Sequence, residues 1–339
     1  MFAGLPKLAD RNFVVGFLLP TLVAAVATLF LFRGTPLTDP IYDDLFRQKS
    51  FTDLTLVALG VWTIATLLVL VNNGVYRLLE GYVGPFDSKA WRRRMRRRYS
   101  TELRSLKRTN RRLGRGTGKA TDALRRDYAA RNWRFAERFP HERQLVLPTR
   151  FGNVIRAFEM YPTRVYGVDA IPAWLRLAGV VPKDFASMIA DARAEVNFFV
   201  NLWLLSILFV VLALGRCTFD LWRMGQPALA NLSWGAPLAA IVAIGLAALA
   251  YEGAVERAVA WGGMVKSAFD LYLPALAEQM GYGLPMGQME RRSFWDEVNS
   301  LFLYRVPIRA ERWPPHLPPE PHPEHTSAEP RRVRAGSDK

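Results

Sequence analysis

The sequence contains little cysteine and little histidine, and each shortage excludes a class of protein. Cys217 is the only cysteine in the 339 residues, which rules out a secreted scaffold held together by disulfides. Three of the four histidines lie in a proline-rich tail, at His316, His322 and His325. Such a tail supplies neither the fixed geometry nor the second shell that a metal site needs. Because no Ser/His/Asp or Cys/His arrangement is evident either, we expect no enzyme activity, no metal and no cofactor.

Charged residues are missing from four long stretches of the chain. These uncharged stretches are Asn12–Phe32, Leu54–Tyr76, Val196–Gly215 and Met224–Tyr251. A bilayer core about 30 Å thick is crossed by roughly 20 apolar residues in a helix, and soluble core helices rarely avoid charge for so long. A soluble enzyme is thereby excluded. We predict an all-α polytopic membrane protein with four transmembrane helices, at 12–32, 54–76, 196–215 and, because the last stretch begins with polar residues, 234–251.

Positive charge is concentrated in one region of the chain. Residues 77–195 contain 27 basic and 12 acidic residues, an excess equal to the net charge of +15 of the whole protein. Basic residues close to the ends of spans face the cytoplasm. The connecting segments 33–53 and 216–233 hold few basic residues, so we expect them outside. The sequence therefore predicts a bacterial inner-membrane protein with both termini and the 77–195 region in the cytoplasm.

The domain organisation follows from these spans. Segments 12–76 and 196–251 are each predicted to form a transmembrane hairpin. Between them we predict a basic, helical cytosolic domain, which helices in 252–306 complete. The remaining parts are a short cytosolic N-terminus at 1–11 and a proline-rich tail at 307–339, which we predict to be disordered or extended.

A basic helix is predicted directly after the first hairpin. Ser88 is a plausible N-cap for a helix ending at Leu113, and 13 basic residues with a single acid, Glu102, lie between Lys89 and Arg115. Three partners fit this cluster: anionic lipids of the inner leaflet, a nucleotide or oligonucleotide, and an acidic protein. The candidate anion-binding residues are Arg92, Arg93, Arg94, Arg96, Arg97, Arg98, Arg108, Arg111 and Arg112.

Polar residues inside or beside the spans form a second candidate set. Its members are Asn72, Asn73, Asn197, Asn201, Glu252 and Glu256. Two interpretations fit the asparagines: hydrogen bonds between packed helices and the lining of a water-filled path. The two glutamates, one helical turn apart, fit either an acidic ring at a pore mouth or ion pairs with arginines close to the membrane.

Two segments resemble sequences found in uncharacterised bacterial membrane proteins. They cover 150–170 and 268–292, and the matching residues are Arg150–Glu159, Tyr161-Pro162, Arg164, Tyr166–Ala170, Ala268–Tyr272, Leu284-Pro285 and Glu290-Arg291. The resemblance implies no established activity. Residues 150–169 by themselves favour the packed centre of the cytosolic domain, with a ligand pocket as the alternative. The layout of a few spans with a cytosolic ligand-responsive domain is also similar to that of bacterial anti-phage membrane effectors.

These observations lead to one main functional hypothesis and two alternatives. The main hypothesis is an inner-membrane channel or membrane-perturbing effector, controlled by an anionic ligand at the cytosolic arginines and acting in bacterial defence. Four spans make a poor pore alone, so this hypothesis requires a homo-oligomer. The first alternative is a non-conducting scaffold or adaptor that recruits an acidic protein or nucleic acid. The second is a lipid-handling enzyme.

Overall fold

The chain is helical throughout the part that the structure describes. The computed structural model describes residues 10–33, 51–114, 119–223 and 235–313, and apart from short turns every regular element in these ranges is a helix. In chain order the helices are α1 (Arg11–Leu31), α2 (Phe51–Glu80), α3 (Lys89–Leu113), α4 (Lys119–Arg138), α5 (Arg150–Glu159), α6 (Tyr161–Tyr166), α7 (Ala170–Leu177), α8 (Lys183–Arg223), α9 (Gly235–Gln279) and α10 (Gln288–Tyr304).

Four of these helices, α1, α2, α8 and α9, are long and apolar enough to cross a membrane. The predicted all-α class with four such helices is confirmed. We call their apolar parts the bundle, and α3 to α7, the inner parts of α8 and α9, and α10 the helical domain. With 41 and 45 residues, α8 and α9 are longer than a bilayer core requires, and each runs without interruption from the bundle into the helical domain.

Small residues allow α9 to pack closely on its neighbours. Its buried residues in the bundle are alanines at three- and four-residue spacing, namely Ala236, Ala240, Ala243, Ala247 and Ala250. Further along, a Cβ at Gly253 would overlap the Phe199 ring of α8, and a Cβ at Gly262 would overlap the Phe158 ring of α5. These contacts make α8 and α9 the most extensive helix pair of the described residues and set α5 against α9.

Residues 147–158 attach the helical domain to the end of α2. Thr149 caps α5: its hydroxyl accepts from the Gly152 amide at 2.9 Å and donates to the Leu79 carbonyl at 2.6 Å. Asn153 is fully buried and both donates to and accepts from the backbone of Leu147. Gly152 lies so close to the Glu80 backbone that no larger residue fits. The segment that the sequence assigned to the centre of the domain is indeed packed there.

The end of the described chain corrects one boundary. The prediction of disorder from residue 307 is wrong for 307–313, because Ile308 and Trp313 are buried against the domain core. Trp313 packs edge-on against Phe294 of α10, and its indole N–H donates to the Glu297 carboxylate at 3.0 Å. The rest of the predicted tail and residues 1–9 of the predicted N-terminus lie outside the described residues.

Candidate functional site

The basic helix α3 is held against α4 by an apolar stripe. Met95, Tyr99 and Leu106 are buried, and the Tyr99 ring lies 5.2 Å from Phe135 of α4 and 5.6 Å from Phe139, which directly follows α4, centroid to centroid. The amphipathic spacing of α3 therefore assigns one face to packing and leaves the others to its basic residues. Ser88 caps the helix, accepting from the Trp91 amide at 3.3 Å, as predicted.

Five arginines line a cleft of about 300 Å³ where α3 and α4 meet α5 and α9. We call it the arginine cleft. Arg98 comes from α3, and Arg150 begins α5. The other three, Arg131, Arg134 and Arg138, share one face of α4 because they are spaced three and four residues apart. Glu102 is the only acid in the lining, and apolar side chains form the remainder. Such a site can bind phosphate or carboxylate groups through charge-assisted hydrogen bonds.

Two cleft arginines are paired with glutamates of α9. Arg138 contacts Glu256 at 2.5 Å, and Arg150 forms an ion pair with Glu252. The sequence left two interpretations of these glutamates open, an acidic ring at a pore mouth and ion pairs with arginines. The described residues show the ion pairs. The glutamate side chains are 52% and 54% exposed, so each pair stabilises the fold by no more than about 1 kcal/mol. Among the described residues, Arg134 makes only a long hydrogen bond of 3.4 Å to its own helix.

The nine arginines predicted from the sequence are spread over several surfaces of α3. Only Arg98 reaches the cleft, where it pairs with Glu102 at 2.9 Å. Arg92 pairs with Asp87, Arg96 donates to the Gln144 carbonyl, and Arg94 lies over the Trp91 ring. The other five are exposed and make no hydrogen bond or ion pair with described residues: Arg93, Arg97, Arg108, Arg111 and Arg112.

A polar cavity of about 430 Å³ lies where the bundle meets the helical domain. Tyr76 donates to the Asn197 side-chain oxygen at 2.8 Å, and the Asn197 amide group donates to Asn12 at 3.3 Å. Asn72 makes a longer contact of 3.5 Å to the same oxygen. With Asn73, three of the four predicted asparagines thus line one cavity. Its full polar lining is Asn12, Asn72, Asn73, Tyr76, Glu80, Glu159, Arg193 and Asn197.

The fourth predicted asparagine, Asn201, lies outside this cavity. It is fully buried, and its amide group donates to the Gly16 carbonyl of α1 at 2.7 Å. Gly16 belongs to a π-helical turn, Val14–Leu18, and precedes Pro20 by four residues. Asn201 therefore connects α8 to an irregular part of α1, as expected for hydrogen bonding between packed helices.

The walls of the polar cavity retain hydrogen-bonding capacity. Asn72 Oδ1 and Trp261 Nε1 are buried and have no hydrogen-bond partner among the described residues. Burial raises the pKa of the Glu159 carboxyl above its ordinary range, and the positive charge of Arg156 only partly opposes this shift. The cavity can therefore hold water or a small polar solute beside a carboxyl that protonates more readily than usual.

No family model, curated protein or solved structure matches this chain.

Sequence reasoning missed four of the five cleft arginines. Arg131, Arg134 and Arg138 carried a signal, because their spacing predicts a basic face on α4. Nothing local marks Arg150, which reaches the cleft only because Thr149 and Asn153 fix the start of α5. Glu80 and Glu159, the carboxylates of the polar cavity, were also missed; 79 positions separate them, and only the fold brings them to one wall.

Proposed function

We propose that this chain is a bacterial inner-membrane protein whose bundle crosses the bilayer, with the helical domain and both termini in the cytoplasm. Four helices of sufficient length and apolarity support the membrane assignment. The concentration of basic residues in 77–195 supports the orientation.

Its proposed activity is that of an oligomeric channel or membrane-perturbing effector controlled by an anionic ligand in the arginine cleft. The observation that carries this proposal is the pairing of Arg138 and Arg150 with Glu256 and Glu252. Both glutamates belong to α9, which continues without a break as the fourth span. A ligand that occupies the cleft competes with these glutamates and so changes how α9 is held.

Energetics favour such competition. Each exposed ion pair contributes at most about 1 kcal/mol, so little free energy is lost when a ligand displaces the glutamates. A phosphate can accept charge-assisted hydrogen bonds from several cleft arginines at once, including Arg131 and Arg134, which these glutamates do not pair. We propose a nucleotide or oligonucleotide as the ligand, because arginine forks match phosphate geometry and a cleft of about 300 Å³ suits a small ligand.

The polar cavity supports the channel part of the proposal. Asn72, Asn73 and Asn197 bring hydrogen-bonding groups to the domain end of the bundle, and polar residues at such positions commonly mark ion or water pathways. Four spans make a poor pore alone, so the proposed conduction requires a homo-oligomer.

The test is ion flux from liposomes that contain the full-length chain, measured with and without ATP or a short single-stranded oligonucleotide. We expect flux that depends on the anion and that the double variant Arg131→Gln/Arg134→Gln weakens. The matched control, Arg111→Gln/Arg112→Gln, removes the same charge from the exposed face of α3 and should leave the response near wild type. Absence of flux with every anion tested would overturn the channel proposal.

The alternative of a non-conducting scaffold or adaptor is favoured by a separate observation. Five arginines of α3 are exposed and unpaired among described residues, and they form a surface suited to an acidic protein or nucleic acid. In that case oligonucleotide binding should weaken steeply with salt and should depend on Arg111 and Arg112 instead of Arg131 and Arg134, with no accompanying flux.

A further inference from the structure

A second cavity, of about 590 Å³, lies beside the arginine cleft where the start of α3 meets α8 and α9. We call it the interfacial groove. Its inner half is apolar and is lined by Trp203 and Ile207 of α8 and by Ile244 and Ala248 of α9. All four belong to the uncharged stretches of the sequence. This half therefore lies at the depth of hydrocarbon if the bundle crosses a bilayer.

The other half of the groove is cationic. Arg94, Arg98 and Arg150 line it together with one acid, Glu252, which pairs with Arg150. These charged residues lie just beyond Tyr251, the last residue of the uncharged stretch of α9. Two tryptophans line the same groove: Trp203 in its apolar half and Trp91, which is 40% exposed, in the cationic half. Tryptophan is enriched at the level of lipid headgroups. The transition from apolar to cationic lining thus coincides with the expected membrane surface.

The arginines of the groove have capacity to bind an anion. Arg94 makes no ion pair with a described residue, and its guanidinium carbon lies 5.4 Å from the centre of the Trp91 ring. The Arg98 side chain remains 46% exposed beside Glu102. A phosphate between these two guanidinium groups would receive charge-assisted hydrogen bonds from both.

We propose that the interfacial groove binds an anionic phospholipid, with its phosphate at Arg94 and Arg98 and an acyl chain along Ile207, Ile244 and Ala248. A soluble anion would match only the cationic half, and a soluble protein would not reach the apolar half. Basic pockets between transmembrane helices on the cytoplasmic side are suited to anionic headgroups. This inference goes beyond the ligand proposed for the arginine cleft: the two cavities share Arg98 and Arg150, but Arg94 lines only the groove and Arg131 only the cleft.

The experiment measures lipid retention by the full-length chain in detergent, by native mass spectrometry after incubation with phosphatidylglycerol or phosphatidylcholine. We expect preferential retention of phosphatidylglycerol. Arg94→Gln/Arg98→Gln should weaken it by roughly tenfold or more, because the variant removes the charge-assisted hydrogen bonds to the phosphate. The control Arg93→Gln/Arg97→Gln removes the same charge from the same helix, outside the groove, and should retain phosphatidylglycerol like the wild type.

Two further arms test the apolar half and the source of the phosphate. Ala248→Trp should fill the groove and reduce retention, whereas Leu249→Trp, at an exposed neighbour that does not line it, should not. Glycerol phosphate, the headgroup without chains, should not compete with phosphatidylglycerol. Equal retention of phosphatidylcholine, equal loss in both arginine variants, or full competition by glycerol phosphate would each overturn the proposal. Because these readouts need neither flux nor an added nucleotide, they can fail independently of the proposed function.

Discussion

Asn201 donates a hydrogen bond of 2.7 Å to the carbonyl oxygen of Gly16, and this bond compensates for a proline. In a regular α-helix the Gly16 carbonyl would accept from the amide of residue 20. Pro20 has no N–H to donate. The Asn201 side chain supplies a donor from α8 instead. This hydrogen bond connects the irregular turn of α1 to α8.

This relationship predicts a coupling between two substitutions. Asn201→Leu should lower the free energy of unfolding by about 1 kcal/mol, since it leaves the carbonyl without that donor. In a Pro20→Ala background the loss should be smaller, because the substituted alanine brings an amide that can donate to Gly16. The measurement is thermal unfolding of all four proteins of the cycle in detergent. Asn73→Leu, at an exposed asparagine, is the control, and equal losses in both backgrounds would refute the coupling.

The glutamates of α9 should act as competitors for the cleft ligand. Glu252→Gln/Glu256→Gln frees Arg150 and Arg138, so we expect tighter oligonucleotide binding, by about two- to fivefold for each pair lost. Fluorescence anisotropy at fixed salt measures it. Glu195→Gln is the matched control, because it removes an exposed ion pair with Arg257 that does not line the cleft. If Glu195→Gln tightened oligonucleotide binding to a similar extent, the gain would come from the general loss of negative charge and not from competition in the cleft.

Glu159 should make stability fall as the pH rises. Burial raises the pKa of its carboxyl in the folded state, so the fold favours the protonated form. The stabilisation that comes from this protonated carboxyl is fully present below its pKa in the unfolded chain, about 4.3. It is lost as the pH rises through the higher pKa of the folded state. Across pH 4.5–8 we therefore expect the Tm of the wild type to decline relative to that of Glu159→Gln. Glu278→Gln, at an exposed position, should follow the wild type.

Glu297 should have the opposite pH dependence. Burial acts to raise the pKa of its carboxyl, but hydrogen bonds from Trp313 and Arg309 and the charges of Arg309 and Arg312 outweigh it, so the pKa lies below its ordinary range. The stabilisation of the fold by the Glu297 carboxylate is fully present above its pKa in the unfolded chain, about 4.3. It is lost as the pH falls through the lower pKa of the folded state.

Glu297→Gln tests this. The variant should be less stable than wild type by about 1 kcal/mol at pH 7, a modest value because both arginines are largely exposed. The difference should disappear in acid, which a series of Tm measurements would show. Asp296→Asn changes a neighbouring exposed carboxylate and should produce no such pattern; a constant difference at every pH would contradict the role of charge.

Composition and local spacing predicted much of this fold. The four long apolar helices follow from missing charge, which is a property of contiguous residues. The helix that starts after Ser88 was predicted from its cap, and that cap forms.

The candidate sites were harder to predict because they depend on distant residues. Arg138 and Glu256 are 118 positions apart, and only the packing of α4 and α5 on α9 brings them together. Charge density pointed to α3, yet most of its arginines face outward, and four of the five cleft arginines are on α4 and α5. The asparagines were found because polar residues are rare in apolar stretches. That Asn72 and Tyr76 both reach the side-chain oxygen of Asn197 was not predictable from the sequence.

The continuity of α9 has a mechanical consequence. Its 45 residues form a rod roughly 68 Å long at about 1.5 Å per residue. Pro237 lies in its first turn and Pro274 near its domain end, so neither proline is at the junction with the bundle. Because no proline hinge lies at that junction, a tilt of α9 at one end is transmitted to the other. A tilt of about 5° would move the far end by roughly 6 Å, enough to separate it from neighbouring helices.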